Sequence, residues 1–207
     1  AAEWHDAPVC SLLGGVRQEA GERVATVDAF GRDNGAQLLA TPTELEKLAL
    51  HAESFEGACV DLRDAVRRIE AGLFGERVGD LIAYQALDFQ KQDGITEVEE
   101  SLQANAIERR LNDALFAAEA RGEVVVPRRV ALVSCVSNFT NFLDLSRKVL
   151  RNIEMGVPVL VLSRSNTAQH SFRWAAMVNN ALAEAGLDTH LFSFASASLD
   201  QQQRLLA

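Results

Sequence analysis

The sequence has few of the cysteines and histidines that disulfide frameworks and metal sites require. Its 207 residues include only three cysteines, Cys10, Cys59 and Cys135. They are odd in number and far apart, which gives neither a disulfide framework nor a CxxC metal-binding pattern. The four histidines are scattered without ligand spacing. We therefore predict no metal site and thiols that are small buried hydrophobes, as in a reducing intracellular compartment such as the cytoplasm or an organelle matrix.

A long apolar run and an excess of basic residues are also missing. The longest apolar run falls well short of the ~18 residues that a membrane helix needs, so we expect no membrane insertion. The net charge is −9, whereas binding to nucleic-acid phosphates needs a basic surface, so we expect no nucleic-acid partner. Ala1 stands where a methionine would begin. A precursor after presequence removal and an excised fragment would both look like this.

The composition predicts one compact folded domain, and the pattern of residues along the chain divides it into three parts. Hydrophobic residues make up 48% and charged residues 24%, close to globular averages. Glycines between short alternating runs predict a hairpin arm over residues 1–40. The stretch Thr41-Pro42-Thr43-Glu44 predicts a capped helix start, and three-four apolar spacing continues to Gly122, which predicts a helical layer over residues 41–122. Its carboxylates and the pairs Arg67-Arg68 and Arg109-Arg110 are expected on solvated faces.

Residues 123–207 form the third part, where the hydrophobic periodicity changes. Apolar strands are predicted over residues 129–136, 157–162 and 189–194, with helices over 142–155, 167–185 and 199–206. Uninterrupted apolar strands that alternate with helices predict an α/β fold with a parallel βαβαβ sheet, the incomplete beginning of a Rossmann-like unit. The last strand should leave an exposed parallel edge and an uncovered apolar face, which would need a partner chain.

Polar residues follow the first two of these strands. The segment "VALVSCVSNFTNF" (130–142) runs from an apolar strand into Ser134, Cys135, Ser137 and Asn138, and the second strand is followed by a further polar group, Ser163, Arg164 and Ser165. Open α/β sheets bind ligands at the carboxyl ends of their strands. These seven residues are therefore the candidates for cofactor binding, with Arg164 able either to face a phosphate or to lie on the surface.

The order of these parts resembles the aldehyde dehydrogenase superfamily over nearly the whole chain. In that family the first strand of the cofactor domain ends in a motif like Pro-Trp-Asn-Phe-Pro, and here it ends in Val136-Ser137-Asn138-Phe139-Thr140. A later apolar strand ends in Lys-Pro-Ser-Glu in the family and in Leu162-Ser163-Arg164-Ser165 here. The next helix ends in Glu-Ala-Gly-Leu-Pro there and in Glu184-Ala185-Gly186-Leu187-Asp188 here.

This resemblance implies a degenerate site. The family's asparagine holds the oxyanion of the thiohemiacetal, so Asn138 is a vestigial oxyanion donor. The family's lysine and glutamate bind the adenosine ribose, and Leu162 and Ser165 replace them. The phosphate-binding turn, the general-base glutamate and the nucleophilic cysteine of the family lie beyond residue 207, and Cys135 precedes the asparagine. No residue is therefore assigned a catalytic role, and NAD or NADP is expected only if the family site is retained.

Two hypotheses remain open. In the first, the chain is a non-catalytic relative that acts as a structural or accessory subunit, with protein partners in an oligomer or multi-subunit complex and no cofactor. In the second, it is the N-terminal, cofactor-domain portion of an NAD(P)-dependent aldehyde dehydrogenase or acyl-CoA reductase. For Asn138 we favour a structural role as the cap of the following helix. Trp174, Phe172 and Met177 are predicted to lie in the core or in an interface, and Phe192 and Phe194 are predicted to be buried.

Overall fold

The computed structural model describes residues 7–28, 30–55, 61–89, 94–124, 129–134, 142–163 and 167–206. Within these residues the elements follow one another as an arm of strands, a run of helices and an alternating α/β unit. They are β1 (Ser11–Leu13), β2 (Val16–Gln18), β3 (Glu22–Val27), β4 (Asp33–Leu39), α1 (Pro42–Glu53), α2 (Leu62–Phe74), α3 (Val78–Phe89), α4 (Gly94–Ala120), β5 (Ala131–Ser134), α5 (Phe142–Glu154), β6 (Val159–Leu162), α6 (Ala168–Glu184), β7 (Phe192–Ala195) and α7 (Leu199–Leu206). None of the described helices is both long and apolar enough to cross a membrane.

The main sheet has five strands in the order β2-β1-β7-β6-β5. Strands β5, β6 and β7 are parallel, and helices α5 and α6 connect them. All four residues of β6 are buried, as a central strand covered on both faces requires. The predicted α/β class and the parallel βαβαβ unit are confirmed.

The arm completes one edge of this sheet, which the sequence did not predict. Strand β1 pairs antiparallel with β7, with Leu12 opposite Phe194. Gly14 and Gly15, at φ 53° and 83°, join β1 to β2; two residues with positive φ match the tight turn that right-twisted hairpins favour. The prediction that the last strand leaves an exposed edge is therefore wrong, because the arm occupies that edge. In the described residues the unpaired parallel edge is that of β5.

Helix α1 begins as predicted. The side chain of Thr41 accepts from the backbone N–H of Glu44 at 3.2 Å, and the Glu44 carboxylate accepts from the N–H of Thr41 at 2.7 Å. The same carboxylate accepts from the N–H of Ala20 at 3.1 Å. This capping box therefore also fastens the arm to the helix.

Two apolar layers cover the sheet. On one face Val159, Val161 and Phe194 join the larger core with α2, α5 and α6. On the other face Leu160 and Leu162 pack with Leu45 and Leu48 of α1. The predicted burial is confirmed for Trp174, Phe172, Phe192 and Phe194.

A buried network of charges joins α2, α4 and α5. Glu154 is 2% exposed and accepts from Arg67 at 2.9 Å and from Asn112 at 2.6 Å. Glu70, also buried, accepts from Asn105 at 2.7 Å. The expectation that the carboxylates of the helical layer lie on solvated faces is wrong for Glu70. Helical periodicity assigns a face only by its apolar residues, whereas here polar residues mediate the contact between helices.

The arginine pairs divide between this network and solvent. Arg67 contacts Asp113 as well as Glu154, and Arg109 donates to Glu70 at 3.2 Å. Their neighbours Arg68 and Arg110 are exposed. The solvated interpretation is therefore wrong for Arg67, whose side chain is 26% exposed and bound to the buried Glu154, whereas the side chain of Arg109 is 39% exposed.

Candidate functional site

The carboxyl ends of the parallel strands lie side by side, as the predicted site requires. Ser134 is in register with Leu162, and Leu162 with Ala195. Ser163 follows Leu162 directly, so Ser134 and Ser163 belong to the same edge of the sheet. Ser134 is exposed and Ser163 is buried.

The other predicted site residues lie outside the described residues. They are Cys135, Ser137, Asn138, Arg164 and Ser165. Their assignment to cofactor binding, and that of Asn138 as a vestigial oxyanion donor or a helix cap, remains a prediction.

Helix α7 packs over the described part of this edge. Its start is a reciprocal cap, in which Gln201 N–H donates to Ser198 Oγ at 3.2 Å and Ser198 N–H donates to Gln201 Oε1 at 2.8 Å. Gln201 Nε2 donates to the carbonyl of Ala40 at 2.6 Å. Gln202 donates to the carbonyls of Ser163 and Ala197. The glutamines therefore satisfy backbone acceptors where the strands end.

A second polar cluster lies where β7 ends. The N–H of Ser196 donates to Ser11 Oγ at 3.0 Å, and Ser196 Oγ donates to Gln37 Oε1 at 3.4 Å. Ser196 O accepts from the N–H of Ala40 at 2.7 Å. Neither polar cluster was predicted from the sequence. The spacing Ser198-x-x-Gln201 is a capping-box signal at the start of the helix predicted over residues 199–206, but the contact of Gln201 with Ala40 depends on the tertiary fold.

These described residues do not fit a dinucleotide ribose. Leu162 stands where the family resemblance places the ribose-binding lysine, and it is buried with Leu160 and Ala195. Its side chain offers no hydrogen-bonding group. The nearby glutamines are already bound to carbonyls of the chain itself. Leu162 therefore supplies no hydrogen bond to a ribose, while a contact of the exposed Ser134 with a cofactor remains a prediction.

The only cysteine in the described residues is not an activated nucleophile. Cys10 is buried and free. Burial raises the pKa of its thiol to about 11, so the thiol stays protonated at neutral pH, and the thiolate is the reactive form. Cys10 therefore cannot serve as the nucleophile of an aldehyde-oxidising site.

Two histidines, one from α1 and one from the segment just before β7, lie in contact. The rings of His51 and His190 stack with their centroids 4.1 Å apart. His51 Nε2 lies 3.2 Å from the carbonyl of Thr189, and His190 Nδ1 lies 2.6 Å from Asp188 Oδ1. Burial lowers the pKa of His51 below its ordinary value. The described residues contain no group of three or more histidine, cysteine or acidic residues that could hold a metal ion.

The sequence comparisons gave no match for this chain. No family model matches it, and no curated protein gives a significant match.

Solved structures do match it. A pyrroline-5-carboxylate dehydrogenase of Mycobacterium tuberculosis is 17% identical with a TM-score of 0.66, and the match covers 99% of this chain and 40% of the enzyme. An NAD-dependent aldehyde dehydrogenase of Sinorhizobium meliloti is 17% identical with a TM-score of 0.67, over 98% of this chain and 43% of the enzyme. A methylmalonate-semialdehyde dehydrogenase of Oceanimonas doudoroffii is 14% identical with a TM-score of 0.66, over 96% and 43%.

The chain spans less than half the length of each of these enzymes. The TM-scores establish a shared fold. Sequence identities this low leave the activity of the chain open. The chain therefore has the aldehyde dehydrogenase fold over part of the length of those enzymes, which confirms at the level of the fold the resemblance predicted from its sequence.

Proposed function

We propose that this chain is a non-catalytic protein of aldehyde dehydrogenase fold that acts as a structural or accessory subunit of a larger assembly. The observation that carries the proposal is the unpaired edge of β5. Leu132 is 41% exposed although it lies in register with Leu160, which is fully buried. Helix α1 packs on β6 and β7, so its cover does not reach Leu132. A parallel edge beside an exposed leucine favours coverage by another polypeptide segment.

The described residues also support a non-catalytic role. The edge of the sheet that would hold a cofactor is bound to α7 and offers Leu162 in place of a charged side chain. The thiol of Cys10 is protonated and buried. The subunit would thus contribute its surface rather than chemistry, with no bound NAD or NADP.

One observation favours a second candidate function. The matched enzymes are more than twice as long as this chain, and the edge of β5 is where further strands could extend the sheet. In this alternative the chain is the cofactor-domain portion of an NAD(P)-dependent aldehyde dehydrogenase or acyl-CoA reductase. One matched structure of the Mycobacterium enzyme contains NAD and cobalamin.

Two measurements separate the candidates. Mass spectrometry of the polypeptide from its native source should give a value near 22.5 kDa for an accessory subunit and about twice that for a longer enzyme. Calorimetry of the purified chain with NAD and NADP should show no binding. A native mass of about twice 22.5 kDa, or micromolar cofactor binding, would overturn the proposal.

A paired variant tests the docking edge itself. Leu132→Lys should abolish co-purification with the other subunits, whereas Leu87→Lys should leave it unchanged. Leu87 is a suitable control because it is 56% exposed but lies on α3, away from the sheet. Loss of the complex in both variants, or in neither, would argue against β5 as the contact.

A further inference from the structure

A second feature of the fold lies apart from the strand ends. Helices α2, α3 and α6 enclose an open cleft of about 650 Å³. This volume is typical of sites for small organic molecules. Neither the family resemblance nor the proposed subunit role assigns a function to this cleft.

Apolar and small residues make up part of the cleft lining. Leu73 and Phe172 line it and are buried, and Met177 is partly exposed within it. Ala176 and Gly72 also line it, and a Cβ atom added to Gly72 would meet no atom outside its own helix backbone within 4 Å. The small side chains leave the space unfilled, and the flexible thioether of Met177 can adapt to an apolar occupant.

Arg173 is the charged residue placed to bind an occupant. It is partly buried in the cleft wall, whereas the other charged lining residues are exposed. Arg77 already pairs with Asp80 at 3.3 Å. No ion pair or hydrogen bond joins the Arg173 guanidinium to any described residue. An arginine beside an apolar surface, without a carboxylate of its own, is suited to a ligand anion.

The rim of the cleft carries charges of both signs. Its exposed charged residues are Arg68, Glu76, Arg77, Asp80 and Glu184. Because these acidic and basic charges largely offset one another, one carboxylate held by Arg173 is compatible with the rim.

We infer that this cleft binds a monocarboxylate with an apolar body. Arg173 binds the carboxylate, and Leu73, Phe172 and Met177 contact the body. This inference goes beyond the proposed subunit role and does not depend on it.

Calorimetry with decanoate and decanol, both below their aggregation concentrations, tests the inference. The wild-type chain should bind decanoate with a dissociation constant below about 1 mM and decanol at least about tenfold more weakly, since a charge-assisted contact is lost. No decanoate binding, or equal affinity for the two compounds, would overturn it.

Variants locate the site. Arg173→Ala should weaken decanoate binding by about tenfold or more, Arg173→Lys should retain part of the affinity, and Arg110→Ala should have no effect. Arg110 is the matched control because it is exposed on α4 and away from the cleft. Ala176→Trp should block binding by filling the space, whereas Ala114→Trp, at an exposed position of α4, should not. Unchanged binding in both Arg173→Ala and Ala176→Trp, or equal losses in the controls, would place decanoate elsewhere.

Discussion

Arg151 of α5 donates to the carboxylate of Glu70 of α2, and both side chains are buried. The same guanidinium donates to Glu154 at 2.7 Å. The contact between these helices is therefore made partly of charges withdrawn from water. Ion pairs of this kind need both partners, because a single buried charge is costly.

We expect Glu70→Gln to lower the free energy of unfolding by about 1–3 kcal/mol, because Arg151 would lose one of its two carboxylate partners and keep only Glu154. Denaturation in urea, followed by circular dichroism, measures this change. The double variant Glu70→Leu with Arg151→Leu should recover much of the loss, since no buried charge is left unpaired. Glu123→Gln is the control, because Glu123 pairs with Arg121 on the surface and should change stability by less than about 1 kcal/mol. A Glu70→Gln chain as stable as the wild type would contradict the argument.

Thr41→Ala should destabilise the chain by about 1 kcal/mol, because the backbone N–H of Glu44 loses its acceptor at the start of α1. Thr43→Ala provides the control, since Thr43 is exposed one residue inside the helix. Thermal or urea unfolding of the two variants gives the comparison. Equal effects of the two substitutions would show that the cap contributes nothing specific.

His51 should make stability depend on pH below neutrality. Burial lowers the pKa of its imidazole, while the unfolded chain takes up a proton near the ordinary value of about 6.5. The unfolded state then binds more protons, so this contribution is present above about pH 6.5 and is lost as the pH falls through the folded pKa. His190 and Asp188 are the titratable groups that face the ring.

Urea unfolding of the wild type and of His51→Gln between pH 5 and pH 7, a range of about two units around the ordinary histidine pKa, tests this expectation. The variant should lose less stability than the wild type as the pH falls. Parallel curves for the two proteins would show that His51 does not contribute to the acid response.

Cys10 should react slowly with iodoacetamide in the folded chain. With a pKa of about 11, only on the order of one thiol in a thousand is ionised at pH 8, and the thiolate is the attacking species. In a chain that carries Cys59→Ser and Cys135→Ser, mass spectrometry should show modification mainly after unfolding in urea. Rapid alkylation of the native double variant would refute the buried, protonated state of Cys10.

The α/β unit was predictable because its signals are local. The apolar runs around Val133, Val161 and Phe194 are interrupted by helices of ordinary period, and Gly156 and Gly186 end those helices at positive φ. The capping signal at Thr41 is also local. Each of these features depends on residues within a few positions of one another, so it can be recognised in one sequence without knowledge of the tertiary fold.

The features that escaped prediction depend on residues far apart in the chain. Nothing near Leu12 indicates that β1 pairs with β7, and nothing near Glu70 indicates that Arg151 lies beside it. The location of the candidate site at the carboxyl ends of the strands was predictable, since Ser134 and Ser163 do lie there, but its surroundings were not. Its coverage by Gln201 and Gln202 depends on how α7 packs against Ala40, which no local pattern specifies.

The pairing of Leu12 with Phe194 also constrains the order of folding. The two strands come from nearly opposite ends of the chain, so closing this edge is entropically costly. The parallel strands can form with their connecting helices first, while β1 can find its place only after β7 has been synthesised. We therefore expect the arm to dock late, and removal of the arm would expose the edge of β7 to aggregation.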